Sequence, residues 1–538
     1  MRMNAYFKVA AALIATCALM ACGGGGGGNN FAALPALLAA GAGAGATGPV
    51  TLSGVVTYDA VPNTSGALVY TSVAAKPVRG AVVEIVNAAS TVIATTSTDD
   101  NGAYSASVPS ASQVLVRVRA QATRSGSGPS WDVSVRDNTQ SDAIYSIESP
   151  LFNSGAAAVT RDVHAPSGWS GSSYSGARAA APFALLDTIV TAQAKVLAAA
   201  PVAVFPPLRV FWSVNNLPAR GDRVQGQIGT TSFVAGSGAA GATRSIYVLG
   251  KEDVDTDEYD ASVIAHEWGH YFQSAFSRDD SPGGSHSASQ RVDRRLAFSE
   301  GWGNAWSGIA LERANYTDAV GSAQAQGTNL DLTTGPASSP GWFRESSVHS
   351  LLWQLNRQGG FKAIHDALTS VSFKSGVPVT SIHPFAAAYR VSAPGNAALL
   401  DGLLTGQSIS AAPGDPFGTG ETNDGGLPLS LPMYRSATVG GGAATPCVSN
   451  LFGDDNKHGS YTFLRFTAPS AGARTFTVVG PAGSDPDLVV YGGGERGSSD
   501  AVGTTETASI SLPAGDFVLA INDFNNSSAN TCFSVTIN

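Results

Sequence analysis

The pattern His-Glu-Trp-Gly-His at residues 266–270 constrains this chain more than any other short stretch. The apolar spacing of the surrounding segment, residues 257–276, predicts one amphipathic helix. On a helix, His266 and His270 lie one turn apart on the same face, so both imidazoles can converge on one metal ion. Glu267 is displaced by about 100° and can reach a metal-bound water instead. This HExxH arrangement predicts catalytic zinc with Glu267 as the general base, and two unrelated helix histidines are the alternative.

Two histidines leave a third protein ligand to be found, because catalytic zinc sites use three protein ligands and a water. Gln273 and Phe276 stand where an extended motif ending in a third histidine would need Gly and His, which excludes that class. A second helical stretch, LAFSEGWGNAWSGIALE, places Glu300 among aromatic residues. An unpaired carboxylate there would be costly to bury, whereas a zinc ligand would be satisfied. His286, in the loop SPGGSHSAS, is the alternative third ligand, or a solvated loop histidine.

An HExxH helix followed by a helix with a ligand glutamate resembles the gluzincin peptidases over roughly residues 240–360. The resemblance implies a thermolysin-like α+β zincin domain, one Zn²⁺ held by His266, His270 and Glu300, and hydrolysis of peptide bonds. The family also has an acidic residue, four positions after the ligand glutamate, that orients a zinc-bound histidine. Asn304 stands there in this chain, and its carbonyl oxygen can accept the same imidazole N–H.

The resemblance further implies a donor that stabilises the oxyanion, drawn from a Tyr or His on a later helix. His349, in FRESSVHSLLWQL, is best placed in sequence and is predicted as catalytic; Tyr389, His383 and Arg344 are other candidates. A structural histidine on an apolar helix is the alternative for His349. The strand RSIYVLG, just before the motif helix, stands where the family binds substrate as an added strand, and a buried core strand fits it equally well.

The first residues predict export. Residues 1–21 carry basic Arg2 and Lys8 and then an apolar run of about 12 residues, too short to span a bilayer permanently. The run ends in Leu-Met-Ala-Cys, which resembles the bacterial lipobox and implies cleavage before Cys22 and lipidation of its thiol. An ordinary signal peptide with a chance cysteine is the alternative.

The residues after Cys22 predict where such an anchor would hold the protein. Gly23 lacks the aspartate that retains these lipoproteins at the inner membrane, so the resemblance implies the bacterial outer membrane, facing the periplasm or the outside. Residues 22–48 are rich in Gly and Ala and predict a flexible tether. No later apolar run reaches transmembrane length.

Three further segments follow the tether. Residues 49–150 predict short strands, and the order PVRGAVVEIVNA, TTSTDDNGAYSASVP and VLVRVRA resembles the carboxypeptidase-regulatory, transthyretin-like β-sandwich. Residues 151–432 show helical periodicity and contain the metal motif, so they are predicted as the peptidase domain. Residues 436–538 predict strands again, and DPDLVVY followed by LPAGDFVLAI resembles the bacterial pre-peptidase C-terminal β-sandwich.

Two cysteines, Cys447 and Cys532, remain after the signal peptide and Cys22 are accounted for. An even pair in an exported chain predicts a disulfide, and two free buried thiols are the alternative. The acidic turns at 454–456 and 485–487 could bind Ca²⁺, although solvation explains them as well.

Composition limits the partners. The chain has 538 residues, only 13% of them charged, and a net charge of -9. Because phosphate binding needs basic patches, this composition predicts that nucleic acid is not a partner. The sequence thus predicts a multidomain, lipid-anchored zinc endopeptidase acting on proteins or peptides, with a thermolysin-like catalytic domain between two all-β sandwiches. A non-catalytic binding or adhesion lipoprotein with a retired peptidase fold is the alternative. The oligomeric state is not indicated.

Overall fold

The computed structural model describes residues 48–236 and 243–538. The predicted signal peptide, the lipidation of Cys22 and nearly all of the predicted tether lie outside these residues and stay predictions. Within the described residues, the protein is a mixed α/β molecule with eight α-helices and several β-sheets.

The first described segment is built of β-strands. They are β1 Pro49–Ala60, β2 Asn63–Thr64, β3 Ala67–Leu68, β4 Ala74–Pro77, β5 Ala81–Asn87, β6 Val92–Ser97, β7 Ala103–Pro109, β8 Gln113–Arg124, β9 Trp131–Asp137, β10 Ala143–Ile144, β11 Ser146–Glu148, β12 Phe152–Asn153, β13 Val159–Thr160 and β14 Val163–Ala165. Along β8, buried residues alternate with more exposed ones, because successive side chains of a strand point to opposite faces.

The helices belong to the second segment. They are α1 Ala181–Ala199, α2 Ala261–Phe276, α3 Arg294–Leu311, α4 Glu345–Gly359, α5 Phe361–Thr369, α6 Val371–Lys374, α7 Ile382–Ser392 and α8 Ala397–Gly406. The strands among them are β15 Leu208–Trp212, β16 Ser232–Val234, β17 Arg244–Val248, β18 Gly250–Lys251, β19 Asp255–Thr256, β20 Asn315–Val320 and β21 Gln326–Asp331. By length and composition alone α1 could cross a membrane, but most of it is buried in the protein, as in the core helix of a globular domain.

One sheet joins the first two segments. Its strand order is β16-β17-β15-β9-β8-β5-β6, and β15 pairs in parallel with both β9 and β17. One hydrophobic core extends from Leu52 and Val116 in the first segment to Trp268 and Leu352 in the second. The boundary predicted at residue 150 therefore falls within one packed body, since both the backbone hydrogen bonds of the sheet and the core cross it.

The strand just before the motif helix, β17, is internal in this sheet. It pairs with β15 on one side and with β16 on the other. Its backbone is therefore paired on both sides, so of the two alternatives for this strand the core strand is the one that the structure has. The sheet ends instead at β16.

The last segment is a sandwich of two sheets. Its strands are β22 Arg435–Ser436, β23 Cys447–Val448, β24 Tyr461–Ala468, β25 Gly472–Val479, β26 Pro486–Tyr491, β27 Glu495–Ser499, β28 Thr505–Leu512, β29 Gly515–Asp523, β30 Thr531–Cys532 and β31 Ser534–Ile537. The sheets β22-β24-β29-β26-β27 and β28-β25-β31 enclose a separate core that includes Leu464, Phe476 and Leu519. The sulfur atoms of Cys447 and Cys532 lie 2.06 Å apart, at disulfide distance, in the strand pair β23–β30.

The C-terminal sandwich is attached to the start of α3 through buried arginines. The Arg295 guanidinium lies 4.3 Å from the Tyr461 ring centroid, and its Nε donates to Asp293 Oδ1 at 2.8 Å. The Arg294 guanidinium lies 4.4 Å from the Phe463 ring centroid. Aromatic faces and a carboxylate stabilise charges that would otherwise be costly to bury. The position of α3 therefore depends on the sandwich.

A buried histidine lies at the same interface. His458 is 1% exposed, and its Nε2 donates to the carbonyl oxygen of Asp424 at 2.8 Å. Its ring lies against those of Trp342 and Phe343. Burial lowers the pKa of His458 to about 4.

We expect this histidine to make the protein acid-sensitive. Below its ordinary pKa of 6.5 the unfolded chain takes up a proton that the folded chain accepts only near pH 4. The contribution of His458 to the free energy of unfolding is thus complete above pH 6.5 and falls between pH 6.5 and 4, by up to about 3 kcal/mol. Urea unfolding at several pH values should show a smaller decline for His458→Gln than for the wild type. Identical declines would contradict this assignment.

Candidate metal centre

Side chains from α2 and α3 converge on one point. His266 Nε2 lies 3.1 Å from Glu300 Oε2 and 3.1 Å from His270 Nε2. His270 Nε2 lies 3.6 Å from the same glutamate oxygen. One ligand atom of each residue is within 4.8 Å of the others. Two ring nitrogens and a carboxylate oxygen are ligands that zinc accepts, so these three residues can hold one ion.

Glycines let the two helices come this close. A Cβ at Gly269 would lie 3.3 Å from Gly303 Cα, and Trp302 Nε1 donates to the carbonyl oxygen of Gly269 at 2.9 Å. A Cβ at Gly303 would lie 2.7 Å from His266 Cε1. The imidazole of His266 therefore occupies the space that a side chain at residue 303 would need.

Polar neighbours orient both imidazoles. His266 Nδ1 lies 3.1 Å from Asn304 Oδ1, which can only accept, so the imidazole donates from Nδ1. His270 Nδ1 lies 3.2 Å from Gln273 Oε1 and 3.3 Å from Ser299 Oγ. These contacts leave the two Nε2 atoms directed at the shared point, as metal ligation requires. The predicted contact of Asn304 with a motif histidine is present in this geometry.

Glu267 lies beside the converging ligands without joining them. Its Oε2 accepts from the backbone N–H of Phe233, on the edge strand β16, at 2.6 Å. Burial raises the pKa of the Glu267 carboxyl, and the nearby His266 and His270 partly oppose that shift. The carboxylate is thus fixed by the sheet edge.

His286 reaches the group from the loop between α2 and α3. Its Nε2 lies 3.3 Å from Glu300 Oε2, and its Nδ1 lies 2.8 Å from Glu345 Oε2, at the start of α4. Burial by itself lowers the pKa of His286, but the two carboxylates raise it above its ordinary value. The group of ligand atoms that lie within 4.8 Å of one another includes Glu300 and does not include His286, although His286 contacts Glu300.

His349 lies in the core of the protein, and its role as a catalytic donor stays a prediction. It is fully buried one turn, or about 6 Å, further along α4 than Glu345. Burial lowers the pKa of His349 to about 4, and the backbone groups of Thr334 and Asp331 and the charge of Asp331 oppose that shift only in part.

Two other donor candidates also have different partners. His383 Nε2 lies 3.0 Å from Glu421 Oε2, and Tyr389 accepts from Asn396 Nδ2 at 3.3 Å. Both contacts belong to the packing of α7 against the segments that follow it.

Tyr316, on β20, is a site residue that the sequence reasoning missed. Its ring meets the His266 ring edge to face, with centroids 5.9 Å apart. Burial raises the pKa of its phenol, and Asp318, Asp257 and Glu267 raise it further. A single tyrosine in a short strand has no periodicity that would indicate such a position, so only the tertiary structure shows it.

Carboxylates form a second group next to the start of α2. Oxygen atoms of Asp255, Asp257 and Asp318 lie within 4.8 Å of one another. Burial, followed by repulsion from Asp318, raises the pKa of Asp255 to about 7, and burial raises that of Asp318 to about 6. Among the described residues, the acidic turns at 454–456 and 485–487, considered for Ca²⁺, do not form a group of three such ligand residues.

Comparisons with known proteins add little. Neither a scan against protein-family models nor a search of curated proteins found a match. Among solved structures, the pre-peptidase C-terminal domain of a Bacillus anthracis collagenase is 13% identical, covers 20% of this chain and 94% of its own, and has a TM-score of 0.16. PliG of Aeromonas hydrophila, a periplasmic inhibitor of g-type lysozyme, is 16% identical, covers 20% of this chain and 99% of its own, and has a TM-score of 0.13. TM-scores this low support no conclusion about fold or function.

The space at Gly303 can be tested directly. Gly303→Ala should lower the free energy of unfolding by about 1–3 kcal/mol, or displace His266 and weaken zinc binding, because the added methyl group overlaps the imidazole. Gly402, inside α8, has nothing within 4 Å of its Cβ position, so Gly402→Ala is the matched control. That control should stabilise the protein by up to about 1 kcal/mol. Unfolding and zinc titrations that do not distinguish Gly303→Ala from the wild type would contradict the close approach.

Proposed function

We propose that this protein is a zinc-dependent endopeptidase. The observation that carries the proposal is the convergence of His266, His270 and Glu300 from two adjacent helices, with Glu267 held beside them. In a site of this kind, the three residues hold the ion and leave one position open for water. Zinc bound there would acidify that water and polarise a substrate carbonyl group.

Glu267 performs the proton transfers in this proposal. Its carboxylate accepts a proton from the attacking water and then passes it to the amine of the cleaved bond. Its Oε2 is held by the Phe233 N–H, which fixes the carboxylate close to the metal ligands before substrate binds. A general base needs such positioning, because its efficiency depends on hydrogen-bond distance to the proton that it removes.

His286 and Tyr316 replace His349 as donors to the oxyanion. Each nitrogen of His286 lies near a carboxylate oxygen, of Glu300 or Glu345, and such oxygens can only accept, so both nitrogens carry hydrogen. The Nε2–H group faces the metal ligands and can turn to a substrate oxygen when the ion engages Glu300. The Tyr316 ring packs edge to face against the His266 ring, so its phenol is the second candidate donor. Two such donors would stabilise the negative charge that develops on the reacting carbonyl oxygen.

The edge strand β16 offers a place for the substrate backbone. It ends the sheet next to Glu267, and an extended peptide can add to such an edge by backbone hydrogen bonds. Protein or peptide substrates are therefore part of the proposal, and a lipid anchor at Cys22 in the outer membrane remains part of it. The Cys447–Cys532 pair suits an exported protein.

A binding or adhesion lipoprotein is the second candidate. The C-terminal sandwich favours it, since such modules serve binding as readily as they accompany enzymes. The fixed position of Glu267 favours catalysis, because a retired site has no need of a base.

Two substitutions separate metal binding from catalysis. Glu267→Gln keeps the acceptor for Phe233, so it should retain about one zinc per chain. Without the base, kcat should fall by about 10²–10⁴. Glu300→Ala should lose the metal. Zinc analysis and hydrolysis of denatured casein are the measurements. A zinc-loaded wild type that cleaves no protein would favour the binding lipoprotein instead.

Asn304 gives a finer test of the helix pair. Asn304→Ala removes the acceptor for His266 Nδ1–H and should weaken zinc binding or activity about 10–100-fold. Asn304→Asp should be tolerated or improved, because a carboxylate accepts the same bond with charge assistance. A competitive chelator titration compares both variants with the wild type. Equal zinc affinity and activity in wild type and Asn304→Ala would exclude this role.

A further inference from the structure

A loop of the C-terminal sandwich lies over the loop that carries His286. We call residues 453–458 the sandwich loop and residues 283–292 the His286 loop. Asn456 Nδ2 donates to the carbonyl oxygen of Gly283 at 2.6 Å. Lys457 Nζ donates to the carbonyl oxygen of Ser285 at 2.6 Å. Both acceptors are within three residues of His286 in sequence.

The other end of the His286 loop is held by the same sandwich residues. Val292 and Lys457 form an antiparallel bridge. The backbone N–H of His458 donates to the carbonyl oxygen of Arg291 at 3.1 Å. The backbone N–H of Asp293 donates to the carbonyl oxygen of Asn456 at 2.7 Å. Three consecutive residues of the sandwich loop thus hold both ends of the His286 loop.

The His286 loop needs an external support. Gly283 and Gly284 are consecutive and both have positive φ, 64° and 94°, a conformation that costs most residues energy and leaves glycine with many alternatives. The sandwich loop can supply the support because it is itself held. Ser460 Oγ donates to the carbonyl oxygen of Gly453 at 3.3 Å. Asn456 is 2% exposed, and its Oδ1 accepts from Lys457 Nζ at 2.6 Å.

We propose that Asn456 and Lys457 are positioning residues of the metal centre. They hold the His286 loop so that the His286 imidazole stays between Glu300 and Glu345. The C-terminal sandwich then completes the active site and is not a detachable accessory. This inference rests on the proposed peptidase function, and it concerns residues that do not themselves touch the metal ligands.

The test uses full-length protein with Asn456→Ala and Lys457→Met, each also combined with His286→Ala. Asn450→Ala is the matched control, because Asn450 Nδ2 donates to the carbonyl oxygen of Asn526, within the sandwich, at 2.9 Å. Lys457→Arg keeps a donor and serves as the conservative variant. The measurements are kcat and KM on a casein-derived peptide, zinc content, and amide hydrogen exchange of the His286 loop.

We expect Asn456→Ala and Lys457→Met to lower kcat about tenfold or more, because small displacements of a catalytic group are costly, while zinc content and KM stay near those of the wild type. Exchange in the His286 loop should be faster. With His286→Ala present, either change should cost less than about twofold further, since residues acting through one partner are not additive. Asn450→Ala and Lys457→Arg should stay close to wild type.

Unchanged kcat and unchanged exchange would overturn the inference, as would a full additional loss in the His286→Ala background. If Asn456→Ala does not fold, Lys457→Met carries the test, since Lys457 is only half-buried. If the wild type cleaves no peptide, the proposed function fails. Hydrogen exchange then decides the inference alone: faster exchange in the His286 loop supports the positioning role, and unchanged exchange excludes it.

Discussion

The close approach of α2 and α3 is the constraint on which the candidate site depends. The histidines lie on one helix and the glutamate on the other, so no ligand set exists unless the helix axes come near enough for His266 to reach Glu300. Glycines at 269 and 303 permit this distance, and a methyl group at residue 303 would occupy the place of the imidazole. Around the crossing, Trp268 stacks on Trp306, which supplies apolar contact area for a pair of helices that carries polar side chains on its inner face.

All three segments of the chain contribute to the position of the α2–α3 helix pair. The sheet that underlies α2 takes strands from both the first and the second segment, and its edge strand holds Glu267. The helix that carries Glu300 begins at Arg294 and Arg295, which are buried against aromatic rings of the C-terminal sandwich. Buried cations need such partners, so removal of the sandwich would leave Arg294 and Arg295 either exposed to solvent or buried without a partner. Both flanking β-structures therefore contribute to the position of the two helices that carry the candidate metal ligands.

The contact between the sandwich loop and the His286 loop extends this coupling to the side of the site where substrate would react. His286 lies on a loop with two glycines in the left-handed region, and its neighbours are held by side chains about 170 residues away in sequence. Hydrogen bonds from the sandwich loop restrict a segment whose two glycines have access to many backbone conformations. They also make the order of the His286 loop sensitive to the state of the sandwich.

Features of the candidate site that depend on local spacing could be predicted from the sequence alone. The four-residue interval places His266 and His270 on one face of a helix whatever the rest of the chain does, and the same interval relates Glu300 to Asn304. Short runs rich in Val, Thr and Tyr, separated by turn signals, likewise predicted strands, and the predicted export led to the prediction of a Cys447–Cys532 disulfide. Tertiary packing places β17 inside the sheet and carries one sheet across residue 150. It also brings His286 to Glu300 and Tyr316 to His266, and buries His349 in the core. These facts depend on contacts between residues far apart in sequence, which arise from packing of whole elements and leave no periodic signal in the segments that make them.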